Sequence, residues 1–289
     1  MVGALTPLVR KRLGLPRPVT AGLAWQAPLA LALALPRTRA RDAGMYALQM
    51  WAYVASYEMP NDDAEQLRRR LRVDYPIAFD RAIAGGEIPT VRLQRALGRP
   101  GRVRTHDLVL SAVHWSWFLV PHGTMAFVLL RHRDVFTHNA AMMTAAFDLG
   151  CAIYWLVPTA PPWWAASAGR LPHVRRIMTE AGERVWGRAW QRLYDSLAGN
   201  PFAAMPSLHF GTSVMAALVL ADVGPGHAAV GWAYALTLGF GLVYLGEHYV
   251  MDLLAGFGLA YGVRRLGPAA APALGRAQQA FQRWEPRAR

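Results

Sequence analysis

Residues 206–263 read PSLHFGTSVMAALVLADVGPGHAAVGWAYALTLGFGLVYLGEHYVMDLLAGFGLAYGV. Three apolar segments follow one another in this stretch: His209–Leu220, Ala228–Leu245 and Tyr249–Val263. Uninterrupted apolar segments near about 17–25 residues are typical of helices that cross a bilayer. The stretch therefore predicts three consecutive membrane-spanning helices.

Further apolar segments lie upstream of this stretch. Leu108–Leu130 is apolar apart from His114, His122 and small hydroxyl residues, and Ala140–Val157 is apolar except for Asp148. A shorter segment, residues 44–57, is rich in Tyr, Trp and Met and gives a sixth span. Together these segments predict an all-α integral membrane protein with a six-helix transmembrane bundle.

The composition supports a membrane protein. Of the 289 residues, 54% are hydrophobic and only 17% are charged, whereas soluble domains carry about 25% charged residues. The net charge is +13, which could indicate nucleic-acid binding, but the arginines flank the apolar segments and so disfavour it. Cys151 is the only cysteine, which excludes an intramolecular disulfide and a cysteine-based metal site.

The first 41 residues are interpreted as a basic N-terminal extension. Within it, Val19–Pro36 could be a span, an interfacial helix or a signal-peptide core, since basic residues precede it. Retention as a membrane-associated helix is favoured over cleavage. Residues 42–266 are then the membrane-embedded core, and residues 267–289, after an Ala/Pro linker at 268–272, are a basic cytoplasmic tail.

Arginine placement predicts the orientation. If Val19–Pro36 does not cross, six spans place three arginine groups on one side of the membrane, and the positive-inside rule makes that side cytoplasmic. The groups are Arg37, Arg39 and Arg41; Arg131 and Arg133; and Arg264, Arg265, Arg276, Arg283, Arg287 and Arg289. A multi-pass protein of the plasma (inner) membrane is expected, with segments 60–106 and 158–206 outside. The apolar spacing in 60–106 suits amphipathic interfacial helices, with a solvated loop as the alternative.

Three polar stretches interrupt the apolar pattern at span ends. The first stretch is residues 158–164 (PTAPPWW), the second is residues 200–209 (NPFAAMPSLH), and the third is residues 244–252 (YLGEHYVMD). The order of the spans places all three at the same face of the bundle. We therefore expect a site at this face.

The second and third stretches contain the residue types of a catalytic site. His248 and Asp252 are four residues apart, so a helix brings them to one face. An aspartate that accepts one ring N–H fixes the histidine tautomer and raises the basicity of the other nitrogen. A helix cap with a structural histidine explains that pair equally well. His209, at the head of another span, makes a catalytic site the better explanation, because ionisable residues at membrane depth are costly and usually functional.

These residues carry a family resemblance. Pro206-Ser-Leu-His209 and His248-Tyr-Val-Met-Asp252 resemble the second and third signatures of the type 2 phosphatidic acid phosphatase superfamily. Residues 158–163, 204–209 and 244–249 resemble its inositol phosphorylceramide synthase branch, and residues 79–90 are similar to the region before the second span in actinobacterial members. The resemblance covers residues 44–265.

The resemblance implies a six-helix core and metal-independent phosphoryl chemistry. The histidine matching His248 would attack phosphorus and form a phosphohistidine, and the aspartate matching Asp252 would orient it. The histidine matching His209 would protonate the leaving oxygen and then activate the acceptor. No metal or cofactor is expected, and the substrate would be a lipid phosphate or phospholipid within the bilayer.

The chain departs from the superfamily pattern in the phosphate-binding residues. Leu242 stands where an arginine usually precedes the third signature, and residues 158–163 replace the first signature. Phosphoryl transfer needs cationic or N–H donors on the phosphate oxygens. The candidate substrate-binding residues are Arg175 and Arg176, which are preferred to Arg170, Arg184 and Arg188, together with Ser207, Asn200 and Tyr249. Each arginine could instead contact a headgroup or solvent.

Several choices stay open. The enzyme could be a phosphatase that passes the phosphoryl group to water, or a transferase that passes a phospho-headgroup such as phosphoinositol to a hydroxyl. The alternative is a polytopic transporter or scaffold with an idle phosphatase-like site. His114, His122 and Asp148 are interpreted as hydrogen-bonding residues inside the bundle. The sequence indicates no oligomeric state.

Overall fold

The computed structural model describes residues 2–197 and 199–282, and in this part of the chain all the regular structure is helical. The α-helices are α1 (Val2–Val9), α2 (Arg17–Ala34), α3 (Arg39–Glu58), α4 (Ala64–Arg69), α5 (Asp74–Ile83), α6 (Pro89–Leu97), α7 (Thr105–Trp115), α8 (Val120–Arg131), α9 (Arg133–Leu156), α10 (Pro162–Ser167), α11 (Ile177–Trp186), α12 (Arg188–Leu197), α13 (Leu208–Val223), α14 (Pro225–Tyr244) and α15 (Val250–Gln282). The predicted all-α fold is confirmed.

Helix α13 lies at the centre of the bundle and packs against α8, α9, α14 and α15. It begins at Ser207, whose Oγ accepts a hydrogen bond from the Phe210 N–H at 3.3 Å. Such an N-cap satisfies one of the free amides of the first turn. Because α13 is apolar on all sides, it is buried among its neighbours, with Phe147, Met215 and Leu238 in the shared core.

The bundle was predicted to have six spans, and the structure supports fewer by length and composition. Within the described residues, one helix, α14, is long and apolar enough to cross a bilayer. Helices α7 and α8 would make a second span only as a broken pair, bent by 49°. The apolar segment Leu108–Leu130, predicted as one span, is divided between α7 and α8, and Pro121 at the start of α8 lacks the N–H that a continuous helix would use.

The N-terminal extension packs against the first helix of the predicted core. Helix α2 lies along α3, where the indole N–H of Trp25 donates to the Ser56 hydroxyl at 3.1 Å. Arg41, at the start of α3, is buried and donates to the carbonyls of Ala32 and Leu35 at 3.2 and 3.0 Å. At the other terminus, α15 continues without a break through Gln282, so the segment expected to be a linker is helical.

The segments expected outside the bundle form short amphipathic helices, as predicted for residues 60–106. Leu67, Ile77 and Ile88 are buried, while Arg68 and Arg81 on α4 and α5 are exposed. Burial of one side of each helix excludes the solvated-loop alternative. Helices α10 to α12 belong to the corresponding segment 158–206.

Two of the arginine groups lie at the end of the bundle opposite the polar stretches. Arg133 contacts Asp42 at 3.1 Å, which joins the start of α9 to the start of α3. Arg264 donates to Asp222 at the end of α13 at 2.9 Å. The 24 residues of α9 span about 36 Å, and they separate Arg133 from the first polar stretch. These arginine groups and the candidate site therefore lie at opposite ends of the bundle, although residues 60–106 and 158–206 at the site end also contain arginines.

Candidate active site

The three polar stretches meet at one end of the bundle. Main-chain hydrogen bonds join each pair of stretches, among them Thr159 N to Phe202 O at 2.8 Å, Trp163 N to Gly246 O at 3.1 Å, and Ser207 N to Asp252 O at 2.9 Å. Since these bonds do not depend on side chains, the backbone itself holds the stretches together. The predicted convergence is confirmed.

A close crossing of α13 and α15 brings the two signature helices into register. A Cβ at Gly256 would lie 2.4 Å from the carbonyl oxygen of Ser207. This distance is too short for any side chain, so glycine allows the two backbones to touch. The contact places the start of α13, with His209, beside the first turn of α15, with Asp252.

His209, His248 and Asp252 form a continuous chain of contacts. His248 Nδ1 lies 3.3 Å from Asp252 Oδ2, and His248 Nε2 lies 3.2 Å from His209 Nδ1. The same Asp252 oxygen accepts the Tyr249 N–H at 2.9 Å. The side chains of His248 and Asp252 are 4% and 0% exposed, so the pair is shielded from water.

The chemistry of the donors fixes the protons in this chain. A carboxylate only accepts hydrogen bonds, so Nδ1 of His248 donates to Asp252. Nε2 of His248 then carries no proton and has a lone pair that can accept a hydrogen bond. His209 Nδ1 then donates to that lone pair. The atom that would attack phosphorus therefore carries its lone pair, and it faces the proton that His209 would deliver.

Two further rings enclose His209. The His114 ring lies edge-on at 4.9 Å between centroids, and the Trp117 ring lies at 4.4 Å. His114 is 8% exposed, and its Nδ1 is buried without a hydrogen-bond partner among the described residues. Its predicted role as a hydrogen-bonding residue of the bundle therefore does not describe it, whereas His122 bonds to Tyr46 at 3.0 Å as expected. Nothing in the sequence of residues 105–131 separates His114 on α7 from His122 on α8, because only the fold places His114 beside His209.

Arg176 lies at the mouth of this arrangement. Its guanidinium forms an ion pair with Glu247 at 2.9 Å, bonds to the Tyr194 hydroxyl, and lies 4.0 Å over the Trp163 ring. Burial raises the pKa of Glu247, but Arg176 lowers it more, so the net pKa lies below the ordinary value. Glu247 directly precedes His248 in the chain, so the ion pair with Arg176 is formed by the residue next to that histidine. Glu247 lies in the third polar stretch, but the sequence alone predicted no role for it.

Arg175 points elsewhere. Its guanidinium is paired with Glu180, with Nε at 3.0 Å from the carboxylate, and donates to the carbonyls of Arg99 and Arg102 at 2.8 and 3.3 Å. All of these partners belong to the protein, and the side chain is 8% exposed. The two neighbouring arginines of the prediction therefore face different environments, and Arg176 is the one that lies beside Glu247.

The other predicted binding residues have mainly structural contacts. Ser207 caps α13, and Asn200 Oδ1 accepts the Phe202 N–H at 3.0 Å. Tyr249 is fully buried in an apolar cluster, although its hydroxyl and the Asn200 amide nitrogen have no hydrogen-bond partner among the described residues.

Asp80 is a site residue that sequence reasoning missed. It is fully buried on α5, and its carboxylate accepts the N–H groups of Val250 and Met251 at 2.9 and 3.0 Å. These are the first amides of α15, which lack partners within the helix. Asp80 thus caps the helix that carries Asp252. The resemblance of residues 79–90 to actinobacterial relatives was the only sequence signal that pointed to it.

No group of three or more His, Cys, Asp or Glu side chains in the described residues is arranged to hold a metal ion.

Comparison with known families agrees with this geometry. The family model of the PAP2 superfamily matches residues 103–266. The chain belongs to the PAP2 superfamily. His209, His248, Asp252 and Arg176 all lie inside the matched part of the PAP2 chain, whereas Asp80 lies outside it.

Curated relatives of this PAP2 protein have names from sphingolipid metabolism. The chain is 33% identical over 166 residues to phosphoinositol dihydroceramide synthase of Bacteroides thetaiotaomicron, covering 53% of each chain. It is 27% identical over 168 residues to inositol phosphorylceramide synthase catalytic subunit aur1 of Schizosaccharomyces pombe, covering 54% of this chain and 40% of that protein. It is 28% identical over 159 residues to inositol phosphorylceramide synthase of Candida albicans, covering 51% and 34%. The chain thus matches about half or less of the length of each relative. No solved structure is significantly similar to it.

Proposed function

We propose that this PAP2 protein is a membrane enzyme that transfers a phosphoryl or phospho-headgroup from a lipid, through a phosphohistidine on His248. The observation that carries the proposal is the contact chain Asp252–His248–His209, with both distances between 3.2 and 3.3 Å. The chain supplies a nucleophile, His248, a residue that orients it, Asp252, and a proton donor, His209, which contacts the other nitrogen of the His248 ring.

In the first half of the reaction, the lone pair on His248 Nε2 attacks phosphorus and forms an N–P bond. The bond between phosphorus and the lipid oxygen breaks, and its electron pair goes to that oxygen. His209, entering the step as the imidazolium, gives its Nδ1 proton to the departing oxygen and becomes neutral. Asp252 stabilises the charge that develops on the His248 ring by accepting its Nδ1–H.

In the second half, His209 works in reverse. Neutral Nδ1 takes the proton of the acceptor hydroxyl, the acceptor oxygen forms a bond with phosphorus, and the N–P bond breaks. The electron pair returns to His248 Nε2, which restores the starting state. Water as acceptor makes the enzyme a phosphatase, and a lipid hydroxyl makes it a transferase.

Arg176 is the proposed phosphate-binding cation. Glu247 neutralises it at 2.9 Å, so a phosphate would compete with a carboxylate for the same guanidinium. The stacking contact with Trp163 at 4.0 Å holds the guanidinium plane while the partner changes. This arrangement fills the role of the arginine that Leu242 replaces in the third signature.

We favour a transferase of phosphoinositol-type headgroups, because the curated relatives carry synthase names of that class. The test uses full-length protein in vesicles, supplied with headgroup-labelled phosphatidylinositol, phosphatidic acid or polyprenyl pyrophosphate, with and without ceramide. Label in a ceramide product supports transfer, and release of the labelled group only to water supports a phosphatase. No turnover of any donor would favour the alternative, a transporter or scaffold with an idle site.

His248→Ala serves as the inactive variant in this assay, and His138→Ala, which removes an exposed histidine of α9, is its matched control. Activity should survive EDTA, because the proposed steps use only histidine, aspartate and arginine. Complete loss on chelation that Mg²⁺ or Zn²⁺ restores would contradict the mechanism.

The active face is proposed to be extracytoplasmic in the plasma (inner) membrane, with the end that carries Arg131, Arg133 and Arg264 in the cytoplasm. In a Cys151→Ser background, a cysteine at the exposed Ser167 should react with an impermeant reagent in intact cells. A cysteine at Arg131, at the opposite end, should react only after lysis. The reverse pattern would invert the topology.

A further inference from the structure

Several arginines line a concave surface at the start of α7. It lies between the segment 98–104, the start of α7 and the end of α11, and it encloses about 480 Å³. It is lined by Thr105 and by four arginines, Arg99, Arg102, Arg104 and Arg184. None of its lining residues is acidic. We call this surface the arginine cavity.

A tight turn builds one wall of the arginine cavity. Pro100 and Gly101 occupy its two central positions, and Gly101 has a φ of 68°. The Arg102 N–H donates to the Arg99 carbonyl at 3.2 Å. Proline followed by a residue with positive φ is the pattern of a type II turn. The turn places the arginines at its two ends opposite each other.

Arg175 fixes this turn from below. It donates to the carbonyls of Arg99 and Arg102 at 2.8 and 3.3 Å, and Glu180 neutralises its charge. Since Arg175 is buried, the backbone under the cavity is held by the protein interior. The cavity is therefore a built surface and does not depend on flexible side chains for its shape.

The described residues contain no carboxylate that forms an ion pair with any of the four arginines of the cavity, and Arg104 donates to the carbonyl of Leu97 at 3.1 Å. The neighbouring acid, Asp107, faces inward, where it accepts the Arg104 N–H at 2.7 Å and the Tyr244 hydroxyl. The α7 N-terminus, at Thr105, adds further positive potential. Like charges at close range repel each other, so an anion in the cavity would relieve that repulsion.

We propose that the arginine cavity binds a phosphate-bearing anion that is distinct from the phosphate attacked by His248. Nine residues of α7 separate Thr105 in the cavity from His114 beside His209, which corresponds to about 13 Å along the helix. One phosphate cannot occupy both places. The bound group comes either from the headgroup of a second anionic phospholipid or from a soluble phosphate ester, since guanidinium recognises both in the same way.

The test measures binding to full-length protein in a neutral detergent, from the rise in the thermal unfolding midpoint with ligand concentration. Inorganic pyrophosphate represents the soluble source, and dihexanoyl phosphatidylglycerol represents the lipid source, with dihexanoyl phosphatidylcholine as the neutral control. The variants are Arg99→Gln/Arg102→Gln in the cavity and Arg188→Gln/Arg192→Gln on the exposed side of α12, which removes the same charge outside it.

The cavity variant should weaken binding of at least one anionic probe by at least about tenfold, because it removes charge-assisted hydrogen bonds. The α12 variant should change binding by less than about twofold, because Arg188 and Arg192 do not line the cavity and solvent screens exposed charges. Loss for pyrophosphate alone assigns the soluble source, and loss for phosphatidylglycerol alone assigns the lipid.

Equal weakening by both double variants, or unchanged binding of both probes by the cavity variant, would overturn the proposal. If the double variant shows no unfolding transition, Arg184→Gln, on the opposite wall, takes its place with the same expectation. Because binding is read without turnover, the result is independent of whether the proposed transfer reaction occurs.

Discussion

Asp80 offers a sharp test of how the active site is held, because it acts on the site from an amphipathic helix outside the bundle. Its carboxylate accepts the Val250 and Met251 N–H groups at 2.9 and 3.0 Å, and it is fully buried. Asp80→Ala leaves two part-buried amides without a partner. A fully buried unsatisfied group costs about 1–3 kcal/mol, and partial exposure lowers that cost, so the variant should lose about 2–4 kcal/mol of stability.

Asp80→Asn should lose less. Burial raises the pKa of Asp80, although the two N–H bonds lower it, so the charged form is already penalised. Asparagine keeps one oxygen acceptor without the charge and should lose about 1–2 kcal/mol. Asp74→Asn, which removes an exposed carboxylate from the same helix, should lose less than about 1 kcal/mol.

The assay combines unfolding in detergent with turnover in vesicles. A shift of the first turn of α15 moves Asp252 away from His248, so Asp80→Ala should lower kcat at an unchanged KM, with partial recovery in Asp80→Asn. Protein amounts are normalised to the folded fraction at the assay temperature. A folded Asp80→Ala variant with normal kcat, or a loss of stability equal to that of Asp74→Asn, would refute the proposed role of Asp80.

Three further predictions concern the reaction, the helix crossing and the ion pair. His209→Ala should lose about 10²–10⁴-fold of its activity on a lipid ester but far less on an aryl phosphodiester, whose leaving group needs no proton. His248→Ala should be inactive on both substrates. Equal losses of activity on the two substrates for His209→Ala would contradict the role of His209 as the acid. Gly256→Leu should lower the free energy of unfolding by at least about 1–3 kcal/mol and abolish turnover, because a Cβ at this position would lie 2.4 Å from the carbonyl oxygen of Ser207. A stable, active variant would show that α13 and α15 do not touch there. The pKa of Glu247 in the folded protein lies below its ordinary value of 4.5, so its ion pair with Arg176 stabilises the fold above pH 4.5 and this stabilisation is lost as the pH falls through the folded pKa. The stability of wild type should therefore drop more steeply in that acidic range than the stability of Glu247→Gln. Parallel curves of stability against pH for the two proteins would contradict the prediction.

The sequence predicted that His209, His248 and Asp252 lie together because their stretches stand at neighbouring span ends. The prediction that one helix carries both His248 and Asp252 is wrong, because α15 begins at Val250 and His248 lies in the loop before it. The loop still places His248 Nδ1 3.3 Å from Asp252. The predicted meeting of the three polar stretches followed from the order of the apolar segments, which needs only the alternation of span ends.

The sequence could not predict contacts that depend on how separate segments pack. Arg175 and Arg176 are adjacent and chemically identical, yet one anchors the turn at 99–102 and the other pairs with Glu247. Asp80 reaches an amide 170 residues away, and no periodic pattern encodes such a distance. The break between α7 and α8 was missed because an apolar run was read as one helix despite Pro121.

The central claim is that His248 forms the covalent intermediate, and the most direct measurement is to find that adduct. An aryl phosphodiester is added to wild type, His209→Ala and His248→Ala, the reaction is stopped with alkaline denaturant, and the peptides are analysed by mass spectrometry. Formation of the adduct from an aryl substrate needs no acid, but its breakdown needs His209 as a base. The adduct should therefore accumulate on His248 in His209→Ala, be present at a lower level in wild type, and be absent in His248→Ala. An adduct on another residue, or turnover by wild type with no adduct in either wild type or His209→Ala, would contradict the account.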